Sequence, residues 1–202
     1  NYPSLSHTLS IFYTRPLIRR FFYWRNTRLN SPTDHVNGRD KQTMSAGEKM
    51  DKYLEDYEVG RTYELGEFTL TEEEIVEFAE KYDPRPVHID TEAARESQFG
   101  SVIASGYHVI SMAMRLLVEH FISDKSGIAS PGLDEIRFHA PTRPGDRLRV
   151  RVTVTGVEVS KTKPDRGIVR DLVELHNQHD ELVLSYRSMG MYYRAPEVIA
   201  AG

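Results

Sequence analysis

The hydrophobic period changes near Gly127, and this change most constrains how the 202-residue chain can fold. Before it, a segment opened by Ser105-Gly106 carries apolar residues around most of the circumference of a helix: Val109, Ile110, Met112, Ala113, Leu116, Leu117, Phe121 and Ile122. Such a helix is usually buried. After it, apolar and polar residues alternate through Leu148–Val154, which is typical of a half-buried strand. Long antiparallel strands that follow a buried helix predict an α+β fold, with the sheet wrapped around that central helix.

Turn residues divide the alternating region into its strands. Turns are predicted at Pro141–Asp146 and Lys163–Gly167, where proline and glycine cluster. Partial alternation in Leu133–His139 indicates an earlier strand, while Ile168–His176 and Leu182–Tyr193 are predicted as returning strands.

Two short helices are predicted ahead of the central one. Thr71 and Glu74 form the pattern of a capping box, and we expect a helix from there to about Lys81. Asp90 is interpreted as the cap of a second helix that runs through Ser97.

The segment Tyr82–Asp90 contains the strongest candidate for chemistry. Asp83 and His88 stand five positions apart, with Pro84 and Pro86 between them. Proline fixes its own φ and keeps the preceding residue out of the helical region, so Asp83 and Arg85 are predicted on stiff, extended backbone. Rigid placement suits an acid/base pair. By itself, however, an Asp-Pro pair more often opens a turn, and an isolated histidine is more often structural.

Composition excludes several classes of function. With no cysteine, disulfide and thiol chemistry are ruled out, and no apolar run approaches the roughly 20 residues of a membrane-spanning helix. A net charge of −4 gives no reason to expect nucleic-acid binding. We expect a cytoplasmic protein.

The charge is unevenly distributed along the chain. Residues 1–43 hold seven Lys/Arg against two Asp/Glu, whereas residues 44–202 hold nineteen against twenty-eight. The basic segment is interpreted as an upstream extension outside the fold, with a targeting peptide, or an arm that binds a membrane surface or a partner, as the alternatives. Residues 44–202 are expected to form the functional domain.

Several segments, in this order along the chain, resemble the MaoC-like dehydratases, a family that includes the (R)-specific enoyl-CoA hydratases. The resemblance covers roughly residues 53–193 and is carried by Tyr82–Asp90, Phe99-Gly100, Ile103–Gly106, His108, Leu133–Phe138, Pro141 and Pro144–Asp146. It implies a hot-dog fold, which is an antiparallel sheet around a central helix.

The resemblance also implies a mechanism. Asp83 would take a proton from water as the water attacks the β-carbon of an enoyl thioester, and His88 would handle the proton exchanged at the α-carbon. Gly106, at the start of the central helix, would let the thioester oxygen approach backbone N–H groups. Ser105 and His108 are candidate substrate-binding residues, although a packing role for Gly106 and His108 remains an alternative. The substrate would be a thioester of coenzyme A or acyl carrier protein, with no cofactor and no metal.

Arg85 departs from the family pattern, which has asparagine at this position. A permanent cation that points at Asp83 would stabilise the carboxylate and weaken it as a base. Arg85 could instead point away, or meet an acidic acyl group; our hypothesis is that Arg85 binds the substrate and helps to select a polar or carboxylated acyl chain.

Two other functions remain open at this point: a hot-dog thioesterase, and a non-catalytic subunit that binds acyl thioesters. The spacing of His176 and His179 resembles a metal site but lacks a third ligand, so a metal site is rejected. Arg143 and Arg147 are candidates for a phosphate of coenzyme A, although solvated turn charges are the commoner case. Because a single hot-dog unit leaves strand edges unpaired, we expect at least a homodimer.

Overall fold

The computed structural model describes residues 51–201. The predicted basic extension of residues 1–43, and its boundary at residue 44, lie outside this range. Within it, five strands form one antiparallel sheet, namely β1 Thr62–Thr69, β2 Gly127–Phe138, β3 Arg147–Val159, β4 Arg166–His176 and β5 Leu182–Tyr193. The sheet order is β1-β3-β4-β5-β2, which places β1 and β2 at the two edges.

The helices lie mainly between β1 and β2 in the chain. They are α1 Glu72–Tyr82, α2 Pro86–Ile89, α3 Thr91–Glu96, α4 Gly106–His120 and the C-terminal α5 Pro196–Ala200, with a short 3-10 turn at Leu54–Asp56. The stripe Val109, Ala113 and Leu117 of α4 is buried in one cluster with the core-facing residues of the sheet. The predicted α+β fold, a sheet packed around a central helix, is confirmed.

Alternation along the strands determines which side chains meet α4. In β3, Leu148, Val150, Val152 and Val154 are buried, as their spacing predicts. In β4 the same period buries Val169 and Val173, and between them Asp171 is only 3% exposed. Ser188 on the adjacent β5 donates a hydrogen bond to Asp171 Oδ1 at 2.5 Å. The core therefore contains a carboxyl group that the sequence interpretation did not single out.

Two helix caps agree with the sequence. Thr71 Oγ1 accepts from the Glu74 N–H at 3.2 Å, and Glu74 Oε2 accepts from the Thr71 N–H at 2.9 Å. Asp90 Oδ1 accepts from the Glu92 and Ala93 N–H groups, both at 3.0 Å, so the interpretation of Asp90 as a helix cap is confirmed.

Strand β1 was not predicted, and its own geometry explains why. Its register shifts between Glu64 and Gly66, and Gly66 has a φ of +105°. A bulge of this kind interrupts the alternation of side chains, which is the signal used to recognise strands.

Candidate active site

Asp83 and His88 come together because the chain turns between them. Asp83 ends α1 as its C-cap, with φ −150° and ψ 65°. Arg85 is extended, as predicted, but Pro86 then begins the single-turn helix α2, which contains His88. The expectation of extended backbone is therefore correct for Arg85 and wrong for Asp83, which closes the last turn of α1. This turn places His88 Nε2 3.3 Å from Asp83 Oδ2.

A backbone contact fixes the imidazole of His88 on the side away from Asp83. Its side chain is 2% exposed, and Nδ1 lies 2.8 Å from the carbonyl oxygen of Ile103. The Ile103 N–H in turn donates to the Val87 carbonyl at 3.2 Å, which ties the loop before α4 to α2. His88 thus has a fixed orientation, with Nε2 directed at Asp83.

Arg85 lies across the pair. Its Nε donates to Asp83 Oδ1 at 3.0 Å, and its Nη2 is 2.7 Å from His88 Nε2. A guanidinium can only donate, so Nε2 must accept, and the ring proton is assigned to Nδ1, where it meets the Ile103 carbonyl. The hydrogen bond from Arg85, opposed by partial burial, lowers the pKa of Asp83 below its ordinary value. Of the three orientations considered for Arg85, the structure shows the one that points at Asp83.

Ser105 and Gly106 bring the start of α4 to the same place. Ser105 is the N-cap, yet its hydroxyl makes no capping hydrogen bond. This hydroxyl is buried without a well-formed hydrogen bond in the described chain, although it lies near enough to Asp83 to help lower that carboxyl's pKa. The first N–H groups of a helix have no partner within the helix, and the N-terminal end of its dipole is positive. The His108 N–H already donates to the Ser105 carbonyl at 3.0 Å, so a polar group that enters here meets the N–H groups of Gly106 and Tyr107 and the positive end of the dipole.

Gly106 lies close to the aromatic ring of Phe138. A Cβ at this position would lie 2.1 Å from Cε1 of Phe138, at the end of β2. The interpretation of Gly106 as a residue needed for close packing is therefore supported, and the ring of Phe138 lies over the first turn of α4.

His108 lies at the same end of α4, within its first turn. Its ring stacks on Phe78 of α1 with a centroid distance of 4.4 Å and an interplanar angle of 3°. The residue is 7% exposed, and its Nδ1 has no hydrogen-bond partner among the described residues. Burial lowers its pKa, so the ring is held in the neutral form. The stack on Phe78 had no counterpart in the sequence interpretation, because it joins two helices that are distant in the chain.

The remaining candidate residues lie elsewhere. Arg143 contacts the Ser101 hydroxyl, and Arg147 pairs with Glu67 at 3.4 Å, so both arginines have partners within the protein. Among residues 51–201, no three His, Asp or Glu side chains are grouped so that they could hold a metal ion. None of the helices in this part of the chain has the length and apolar character to cross a membrane.

Comparison with known proteins identifies the family. Residues 56–176 match the model of the MaoC like domain. Protein MaoC of Klebsiella aerogenes is 39% identical over 103 residues, which are 50% of this chain but only 30% of that protein. The (R)-specific enoyl-CoA hydratase of Rhodospirillum rubrum is 33% identical over 125 residues, covering 58% of this chain and 80% of the relative.

Solved structures agree. The MaoC-like dehydratase from Rhodospirillum rubrum superposes with a TM-score of 0.67 at 38% identity, covering 72% of this chain and 99% of the other. A Mycobacterium tuberculosis protein described as a double hotdog fold matches with a TM-score of 0.60 at 19% identity, covering 72% of this chain and 45% of the other, which supports the fold alone. The chain belongs to the MaoC-like domain family and has its hot-dog fold.

Proposed function

We propose that the protein is a hydro-lyase that reversibly hydrates a 2-enoyl thioester of coenzyme A or acyl carrier protein to the 3-hydroxyacyl thioester. The observation that supports this most directly is the 3.3 Å contact between Asp83 Oδ2 and His88 Nε2, beside the N-terminus of α4. Hydration needs two groups that exchange protons at neighbouring carbons, together with donors for the thioester oxygen. The site offers both.

In the hydration direction, the Asp83 carboxylate accepts a proton from water while the water oxygen bonds to the β-carbon. For this step Arg85 no longer donates to Nε2, and His88, protonated at both ring nitrogens, gives the Nε2 proton to the α-carbon. The reaction leaves a protonated Asp83 and a neutral His88, and the 3.3 Å separation allows the proton to return directly to Nε2. Dehydration follows the same steps in reverse.

The thioester oxygen gains negative charge as the water adds. In this proposal it lies at the first turn of α4, where the N–H of Gly106 and the helix dipole stabilise it. The buried Ser105 hydroxyl and the neutral His108 ring, which have unused hydrogen-bonding capacity, contact the substrate on either side of Gly106. Asp83 and His88 already account for both proton transfers, so Ser105 and His108 are assigned to orienting the substrate.

The test follows the absorbance of crotonyl-CoA together with free thiol. Loss of the enoyl absorbance without thiol release is the expected result. Asp83→Asn is expected to lower kcat by about 10²–10⁴, the range for losing general acid–base catalysis. Glu197→Gln, at an exposed carboxylate on α5, is the matched control and keeps full activity.

Other outcomes identify the alternatives. Thiol release would make the protein a thioesterase. Full activity in Asp83→Asn, with unchanged thermal stability, would remove the carboxylate from the mechanism. Binding without turnover, in every variant, of both crotonyl-CoA and a 2-enoyl-CoA with a carboxylated acyl chain would indicate a non-catalytic thioester-binding protein.

We also propose that the protein acts as a homodimer or a larger homo-oligomer. Both edge strands, β1 and β2, lack a partner on one side within the described residues, and β2 is exposed along most of its length. Unpaired edges usually associate or are covered. Light scattering on the purified chain tests this, and a monomer at micromolar concentration would refute it.

A further inference from the structure

We infer that Arg85 occupies the position of the attacking water, beside Asp83 and His88, in the protein without substrate. A carboxylate on the acyl chain of the substrate then draws Arg85 away. This inference rests on the proposed hydration reaction and names its substrate class: 2-enoyl thioesters with an anionic group at or next to the β-carbon.

Arg85 and the attacking water compete for the same lone pairs of Asp83 and His88. A water that attacks the β-carbon must donate to Asp83 and lie beside His88. Arg85 already donates to Asp83 Oδ1 at 3.0 Å and to His88 Nε2 at 2.7 Å, and its Nη2 is 3.4 Å from Asp83 Oδ2. A guanidinium keeps its protons and cannot activate water itself. Arg85 and the reacting water therefore exclude each other.

Arg85 can leave this position. Its side chain is 65% exposed, whereas that of Asp83 is 18% exposed and that of His88 is 2% exposed. Ion pairs that face water are weak, because solvent replaces the lost contact. Asp83 and His88 are thus held in place, while Arg85 is free to rotate outward.

A carboxylate on the acyl chain is the group suited to draw Arg85 away. Guanidinium binds carboxylates through two parallel hydrogen bonds, which is the geometry Arg85 already uses on Asp83. With the β-carbon beside the Asp83–His88 pair, a substituent on that carbon points to the position of Arg85. A carboxylate there offers Arg85 a new partner and frees the lone pairs for water, whereas a methyl group does neither.

The test compares crotonyl-CoA with fumaryl-CoA, which carry a methyl group and a carboxylate on the same β-carbon. Wild type is expected to prefer fumaryl-CoA in kcat/KM, and Arg85→Asn to reduce that preference by on the order of 10-fold to 100-fold, the range for losing a charge-assisted hydrogen bond. Arg85→Lys keeps the positive charge but lacks the two parallel N–H donors of a guanidinium, and it is expected to restore part of the preference. Arg95→Asn is the control, since Arg95 is 66% exposed and also paired with a nearby carboxylate, that of Glu92.

The outcomes separate this inference from the proposed function. If crotonyl-CoA is hydrated and Arg85→Asn leaves the ratio of the two substrates unchanged, the inference fails and the hydratase stands. If neither substrate is hydrated by wild type, the proposed function fails. Pantetheine thioesters of both acids, which lack phosphate, provide a further arm: if the effect of Arg85 disappears with them, Arg85 binds a phosphate of the carrier and the inference is overturned.

Discussion

Asp171 offers a quantitative test of how the core tolerates a carboxyl group. It lies on the face of β4 that packs against α4, 3% exposed, with the Ser188 hydroxyl as a hydrogen-bond donor. Burial raises its pKa from an ordinary value of 3.8 to about 6, and the hydrogen bond from Ser188 opposes the rise. The ionised form is therefore the unfavourable one in the folded protein.

The sign of the pH dependence follows from this shift. Between pH 3.8 and about 6, the unfolded chain has released the Asp171 proton while the folded chain still holds it. The free energy of unfolding therefore falls as pH rises through this window, and the loss is complete above it. A shift of about two units corresponds to about 3 kcal/mol, since each unit is worth about 1.4 kcal/mol.

Asp171→Asn removes the titration and keeps an acceptor for Ser188. The Ser188 hydroxyl can donate to the amide oxygen of the new side chain as it does to Asp171 Oδ1. We expect the variant to gain about 2 kcal/mol of stability relative to wild type on going from pH 4 to pH 7. Any constant packing cost cancels in that difference.

Urea unfolding of both proteins at pH 4, 5, 6 and 7 measures the effect. Asp134→Asn on the exposed side of β2 is the matched control and should show no such trend. A stability difference between Asp171→Asn and wild type that is the same at pH 4 and pH 7 would refute the reasoning, because Asp171 would then titrate alike in the folded and unfolded chains.

Three further results are expected. Arg85→Asn should let the lowered pKa of Asp83 rise, so the acid limb of the pH profile of kcat/KM on crotonyl-CoA should move to higher pH; an unmoved limb would show that Arg85 does not act on the carboxylate. Gly106→Ala should cost less than about 1 kcal/mol in thermal or urea unfolding, because the Phe138 ring that its Cβ would meet is 58% exposed and can rotate away, whereas a larger cost that vanishes in a Phe138→Ala background would show that the ring is fixed over α4. Thr71→Ala should lose about 1 kcal/mol through the broken capping box of α1, and an unchanged urea midpoint would show that the cap is dispensable.

Local patterns were sufficient for most of the elements. The period of the apolar residues in α4 and β3, the capping box before α1 and the Asp90 cap of α3 are all properties of a few neighbouring residues, and each was predicted where it occurs. The bulged strand β1 was missed because its register shift breaks the pattern by which a strand is recognised. The period-two spacing of β4 already places Asp171 between Val169 and Val173, so the buried carboxyl was detectable.

The candidate site depends on both the sequence and the tertiary structure. The sequence alone supplied the residue types and their spacing, including Asp83, His88 and Gly106, since these belong to short contiguous motifs. Only the tertiary structure decides that the turn at α2 closes the Asp83–His88 distance to 3.3 Å and that Arg85 lies across the pair. The direction of a side chain on a short bend depends on what lies behind it, here the carbonyl of Ile103, and that contact joins residues fifteen positions apart.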